Sequence, residues 1–132
     1  MNMEEKERQK EIFELNMLDM QLRQMEQQAM MVEQQILEQQ TTSHNLDELK
    51  KTKNGQNMLF PFSKDIFIEG KLEKNDVLVN IGSKTLVRKS IEDAKKIVVK
   101  QRDRLLDVSD EIKAKMSEII ARISELEKEL NP

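Results

Sequence analysis

Two long stretches of this chain repeat apolar residues at alternating steps of three and four, and a short segment of period two separates them. In the first, Leu15, Leu18, Leu22, Met25, Ala29, Val32 and Ile36 follow this rule, which keeps them on one side of a helix. In the second, Ile91, Ala94, Val98, Leu105, Val108 and Ile112 form a seam that continues through Met116, Ile119, Ile123, Leu126 and Leu130. An apolar seam needs a covering partner, and the nearest one is the other half of the same chain. The expected fold is mainly α with a small β module: a long antiparallel coiled-coil hairpin with two β-hairpins, four short strands, between the helices.

Composition narrows the alternatives. The chain has 132 residues, is 36% charged and 3% aromatic, and lacks Trp and Tyr. That supports a seam or a small sheet within a single domain over 1–132, but not a large core around an enclosed substrate pocket. Without Cys there is neither a disulfide framework nor a thiolate metal site. The opening Met1-Asn2-Met3-Glu4-Glu5-Lys6 is acidic and polar where a secretory signal is basic and then apolar. No apolar run approaches the roughly 20 residues that span a bilayer. A soluble cytoplasmic protein is expected, with no membrane partner.

The net charge of -3 does not favour phosphate backbones, so no nucleic-acid partner is expected either. Basic clusters at Lys50, Lys51 and Lys53, at Lys95 and Lys96, and at Lys100, Arg102 and Arg104 are interspersed with acids or lie near helix ends. That is the pattern of solvated or dipole-complementing faces.

Punctuation sets the boundaries. The first helix is expected over 4–53, with lysines in its last turn and Asn54-Gly55 as a left-handed stop. Its seam weakens at Gln39 and Ser43 before Leu46 restores it. The second helix is expected over 90–130, with Ser90 as cap and Glu92 and Asp93 beside the free amides of the first turn. Val108, Ile112 and Met116 are four apart twice running, which predicts a stutter and a local change of twist around Ile112.

Over 57–89 the period becomes two. Met58 to Phe62, Ile66 to Leu72, Val77 to Ile81 and Thr85 to Val87 read as strands, with turns at Ser63-Lys64-Asp65, Lys74-Asn75-Asp76 and Gly82-Ser83-Lys84. Pro61 makes the first strand an edge or an irregular one. A small sheet with apolar residues on both faces and no covering layer needs partners. Its expected oligomerisation residues are Leu59, Phe60, Phe62, Ile66, Ile68, Val77, Val79, Ile81 and Leu86.

The order of long helix, MLFPF, IFIEGKL, DVLVNIGS, TLVRKSIEDA and long helix resembles the α-type subunits of the prefoldin family. Leu59, Pro61, Gly70, Val77, Val79, Gly82, Val87, Lys89 and Ala94 fit the family's places. Phe62 and Ser63 depart from its usual Leu-Gly, Lys84 stands where a second Gly is common, and Arg88 replaces a usual acid. Two hairpins favour the α type over the β type, which carries one. The resemblance implies a hexamer of two α-type and four β-type prefoldin subunits, joined through their strands. It also implies a holding chaperone that uses no nucleotide or other cofactor, grips unfolded polypeptide clients at the coiled-coil tips and passes them to a group II chaperonin.

In an antiparallel hairpin the tip holds the start of the first helix and the end of the second, and at about 1.5 Å per residue a forty-residue arm reaches about 60 Å. Ile12, Phe13, Met17 and Met20 all lie off the seam there, and Ile120 lies beside it. A cluster of apolar residues at one end of a charged helix pair is a candidate contact surface, and methionine repacks readily against dissimilar partners. Ile12, Phe13, Met17, Met20, Ile120 and Leu126 are the expected client-binding residues. The alternative is that Ile12 and Ile120 widen the seam and the methionines are incidental.

Nothing in the pattern speaks for catalysis, and no enzyme is expected. His44 stands among polar residues, the carboxylates follow helix-surface spacing, and Gly55, Gly70 and Gly82 are not grouped into a phosphate loop. The holding chaperone therefore stands beside one other reading, a structural coiled-coil scaffold or adaptor that binds a single defined partner.

Overall fold

The computed structural model describes residues 3–131; Met1, Asn2 and Pro132, at the ends of the expected domain, lie outside them. The elements are α1 (Met3–Lys50), β1 (Asn57–Ser63), β2 (Ile66–Lys71), β3 (Asp76–Asn80), β4 (Leu86–Ser90) and α2 (Ile91–Leu130). The chain divides into two compact units, one of Met1–Ile36 with Arg104–Pro132 and the other of Leu37–Asp103.

Along α1 every expected seam residue from Leu15 to Ile36 is at least partly shielded, and Gln39 and Ser43 hold half-buried places before buried Leu46. Along α2 the burial departs from the expected seam at one point. Val108 is 40% exposed, whereas its neighbour Ser109 is only 5% exposed. With Ser109 in place, Leu105, Ser109, Ile112, Met116, Ile119, Ile123, Leu126 and Leu130 alternate steps of four and three without interruption. The expected stutter is therefore absent from the burial pattern. A helix places residues by angle, and the 3.5-residue repeat selects the serine over the more apolar valine.

In the first unit this packing closes over Ile112, Ile119, Ile123 and Leu126, all buried. Arg122 on α2 reaches Glu14 on α1, with Nε to Oε1 at 2.9 Å and Nη2 to Oε2 at 3.1 Å.

In the second unit Leu46, Ile91, Ala94 and Val98 form the core, and Leu49, Val77 and Val79 pack against it. Lys95 bonds Asp47, and Lys50 lies 3.3 Å from Glu92, so charge pairs border the core where the two helix segments meet. α2 begins as expected: Ser90 Oγ accepts from the Asp93 amide at 3.1 Å.

α1 ends at Lys50, three residues before the expected stop. The Lys51 and Thr52 amides turn back to the carbonyls of Glu48 and Leu49, three residues earlier, and tighten the end. Asn75, from the loop between β2 and β3, donates its side-chain amide to the carbonyls of Lys50 (3.5 Å) and Thr52 (3.4 Å). The helix end is thus closed from a distant part of the chain, together with Gly55 at φ 82°.

The strands form two separate antiparallel pairs, β1 with β2 and β3 with β4. Pro61 sits opposite Phe67, and the register shifts between Pro61 and Ser63, the irregularity expected of a proline-bearing strand. Asp76 and Arg88 pair across β3 and β4 at 2.7 Å, so Arg88 has an acid of its own hairpin. The β3–β4 turn has Ser83 at φ 49° and Lys84 at φ 60°, closed by the Thr85 amide on the Gly82 carbonyl at 2.9 Å. Positive φ at both central residues matches the twist of a two-residue hairpin.

Candidate functional site

The start of α1 and the end of α2 form a closed seam with apolar residues left outside it. Ile12, Phe13, Met17, Met20 and Ile120 are all exposed, Phe13 by 68%. Phe13 lies next to Glu14 and Ile120 two residues from Arg122, so the Glu14–Arg122 pair brings the two helix segments that carry them together. Leu126 is a correction: at 0% exposure it is the most buried side chain of the unit, a seam residue with no surface to offer a client. Its place in the 3-4 repeat, three residues after Ile123, accounts for this.

Electrostatics mark the same end. The hydrogen bonds from Arg122 hold the Glu14 carboxyl below its ordinary range, and Glu14 and Glu125 hold the Arg122 proton more firmly in return. Glu11 goes the other way, raised by a hydrogen bond with Glu129, with desolvation and the charges of Glu129 and Glu7 acting in the same sense.

The sequence reading missed exposed apolar residues further along α1. Met30 is 70% exposed, and Met31 is exposed beside it. Both lie off the 3-4 seam, which is the signal that marks Met17 and Met20.

The strands carry the second apolar surface. Leu59, Phe60, Phe62, Ile66, Ile68, Ile81 and Leu86 are exposed as expected of residues without a covering layer. Val77 and Val79 are corrected: they face the Leu46, Ile91, Ala94 and Val98 core of their own chain. Leu78, between them, points the other way and is exposed, as is Phe67 on β2. Side chains alternate along a strand, so once the core claims Val77 and Val79 the outward place falls to Leu78.

Among the described residues no group of three or more His, Cys, Asp or Glu is placed to hold a metal ion, and no helix is long and apolar enough to cross a membrane.

Comparison with known proteins agrees with this architecture. The chain is 26% identical over 83 residues to the prefoldin subunit alpha of Thermofilum pendens, covering 62% of this chain and 64% of that protein. It is 30% identical over 107 residues to the prefoldin subunit alpha of Methanobrevibacter smithii, covering 80% of this chain and 73% of that one. A chain in the cryo-EM structure of filamentous PFD from Methanocaldococcus jannaschii shares the fold at a TM-score of 0.76 and 21% identity, over 88% of this chain and 97% of its own. Residues 18–132 match the family described as Prefoldin subunit, and with the long helices flanking two β-hairpins they make this chain a member of the prefoldin family, of the α type.

Proposed function

We propose that this prefoldin chaperone subunit holds unfolded or nascent polypeptides, without ATP, at the end of its helix pair where α1 begins and α2 closes. It works in the cytoplasm within a hexamer of two α-type and four β-type subunits, and it delivers its clients to a group II chaperonin. The outward residues Leu59, Phe60, Phe62, Ile66, Ile68, Ile81 and Leu86 join it to the β-type subunits, with Phe67 and Leu78 adding to the same contact.

One observation carries the reading. Ile12, Phe13, Met17, Met20 and Ile120 are exposed on a helix pair that already closes its own seam, so they have no packing task left within the unit. Flexible methionines suit a surface that accepts many sequences.

Replacing Phe13, Met17 and Met20 together by Ser tests this. Light scattering from several unrelated unfolded proteins should show suppression of aggregation reduced by about half or more, with helicity and assembly size retained. Unchanged suppression by the triple variant removes the assignment, and protection of a single protein by the parent chain replaces it with the scaffold reading.

A further inference from the structure

The apolar residues left exposed differ in kind along the chain. Among the described side chains of α1, four of the seven large exposed ones are methionine, namely Met17, Met20, Met30 and Met31, and each is more than half exposed. On the strands and their turns the exposed set is Leu, Ile and Phe throughout, and on α2 it is Leu106, Val108 and Ile120. Met25 and Met116, in the closed seam, and Met58 on β1 are partly shielded. Exposed thioethers are thus confined to α1, and two of them stand among the holding residues.

That division matters to a peroxide. The chain has no Cys, so no thiolate competes with its thioethers. A methionine sulfur attacks one peroxide oxygen, the S–O bond forms as the O–O bond breaks, and the other oxygen leaves as water with the two hydrogens. The sulfur gives up two electrons and the peroxide takes them. Aliphatic side chains and phenyl rings have no lone pair to offer and stay unchanged. The sulfoxide that results is strongly polar, and covering it with an apolar client segment costs its hydrogen bonds to water.

We infer that Met17 and Met20 are oxidation sites at which peroxide weakens the grip on clients while the strand surface stays intact. The inference rests on the holding reading and adds a means of regulating it. Both side chains lie outside the seam, so their oxidation leaves the packing of α1 on α2 in place. Met30 and Met31 react in the same way but lie outside the holding residues, which makes them an internal control. Methionine sulfoxide reductases working with a thiol reductant reverse the change.

The test treats the full chain with hydrogen peroxide, removes the excess with catalase and locates the added oxygen by peptide mass spectrometry. Met17, Met20, Met30 and Met31 should oxidise at least about fivefold faster than Met25, Met58 and Met116. Light scattering from several unrelated unfolded proteins should then show suppression of aggregation reduced by about a third or more, with helicity and assembly size retained, and reductase treatment should restore it. Met17→Leu with Met20→Leu keeps the surface apolar and the helix well formed, and should hold its suppression through the same peroxide treatment. Met30→Leu with Met31→Leu should lose suppression as the parent does. Full suppression by a chain oxidised at Met17 and Met20, or an equal loss in the Met17 and Met20 variant, overturns the inference and leaves the holding reading standing. An untreated parent that suppresses no aggregation overturns both.

Discussion

Arg122 grips Glu14 with two nitrogens, Nε to Oε1 at 2.9 Å and Nη2 to Oε2 at 3.1 Å, while its third, Nη1, reaches Glu125 on its own helix at 2.9 Å. The planar fork fits a carboxylate in a way a lysine ammonium cannot. Both partners remain roughly two-fifths exposed, so the pair fixes helix register more than it adds stability. Arg122→Lys should lower the thermal midpoint by about 1–3 °C, and Glu14→Gln should add little on top of it. Thermal circular dichroism of the two single variants and the double variant checks this, and full additivity would show that the two side chains do not act together.

The acidic groups give stability two opposing pH trends. Glu14 lies below its ordinary 4.5 because of Arg122, and Asp47 below its ordinary 3.8 because of the hydrogen bond from Lys95. Their contributions are complete above those ordinary values and fade as pH falls through the lowered ones. Glu11 is raised above 4.5 by Glu129, so its contribution is complete below 4.5 and is lost as pH rises through the raised value. Acidification through the raised Glu11 value towards 4.5 should therefore raise the thermal midpoint, and further acidification through the lowered values of Glu14 and Asp47 should reverse the gain. Glu11→Gln should flatten the first limb and leave the second. A midpoint of the Gln variant that rises as steeply as the parent's over that range would remove Glu11 from the account.

Much of this was legible in the sequence because α1 writes its seam from Leu15 to Ile36 in Leu, Met, Ala, Val and Ile at unbroken 3-4 spacing. The strand order was legible for a similar reason, since Pro61 and the turn residues mark where pairing must bend or stop. Two places resisted. Val77, Leu78 and Val79 are all apolar, so their alternation does not say which face turns inward; contact with Leu46, Ile91, Ala94 and Val98 decides it. Asn75 closes the end of α1 from 25 residues away, a relation no local pattern carries. Where α1 begins and α2 closes, the 3-4 repeat gives Leu126 a seam place although it also counts among the expected client-binding residues, and its burial, against the exposure of Ile120, leaves only the seam place.

Ser109 and Val108 test the continuous seam directly. If the repeat passes through Ser109, that serine is a polar residue in an apolar seam and in the middle of a helix, where alanine is the better helix former. Ser109→Ala should raise stability by about 0.5 kcal/mol or more, while Val108→Ser, on the exposed side, should change it by less than about 1 kcal/mol. Urea unfolding followed by circular dichroism measures both. A stutter through Val108 requires the reverse order, with the valine substitution the costly one.

The β3–β4 turn stores strain that substitution should release. Lys84 holds φ 60°, a left-handed conformation in which a Cβ crowds the following carbonyl and which glycine adopts freely. Gly82, at φ 117°, lies where side chains are still less welcome, although nothing stands within 4 Å of a Cβ built there, so the barrier is conformational and not spatial. Lys84→Gly should stabilise the chain by about 0.5–1 kcal/mol, and Gly82→Ala should destabilise it by about 1 kcal/mol or more. Amide hydrogen exchange localises the effect: protection of the Ile81 amide, which bonds the Thr85 carbonyl at 3.0 Å, should increase in the first variant and fall in the second. Loss of protection in Lys84→Gly would mean that the lysine side chain itself holds the turn, and that its departure from the family's glycine is favourable where the backbone angles say it is strained.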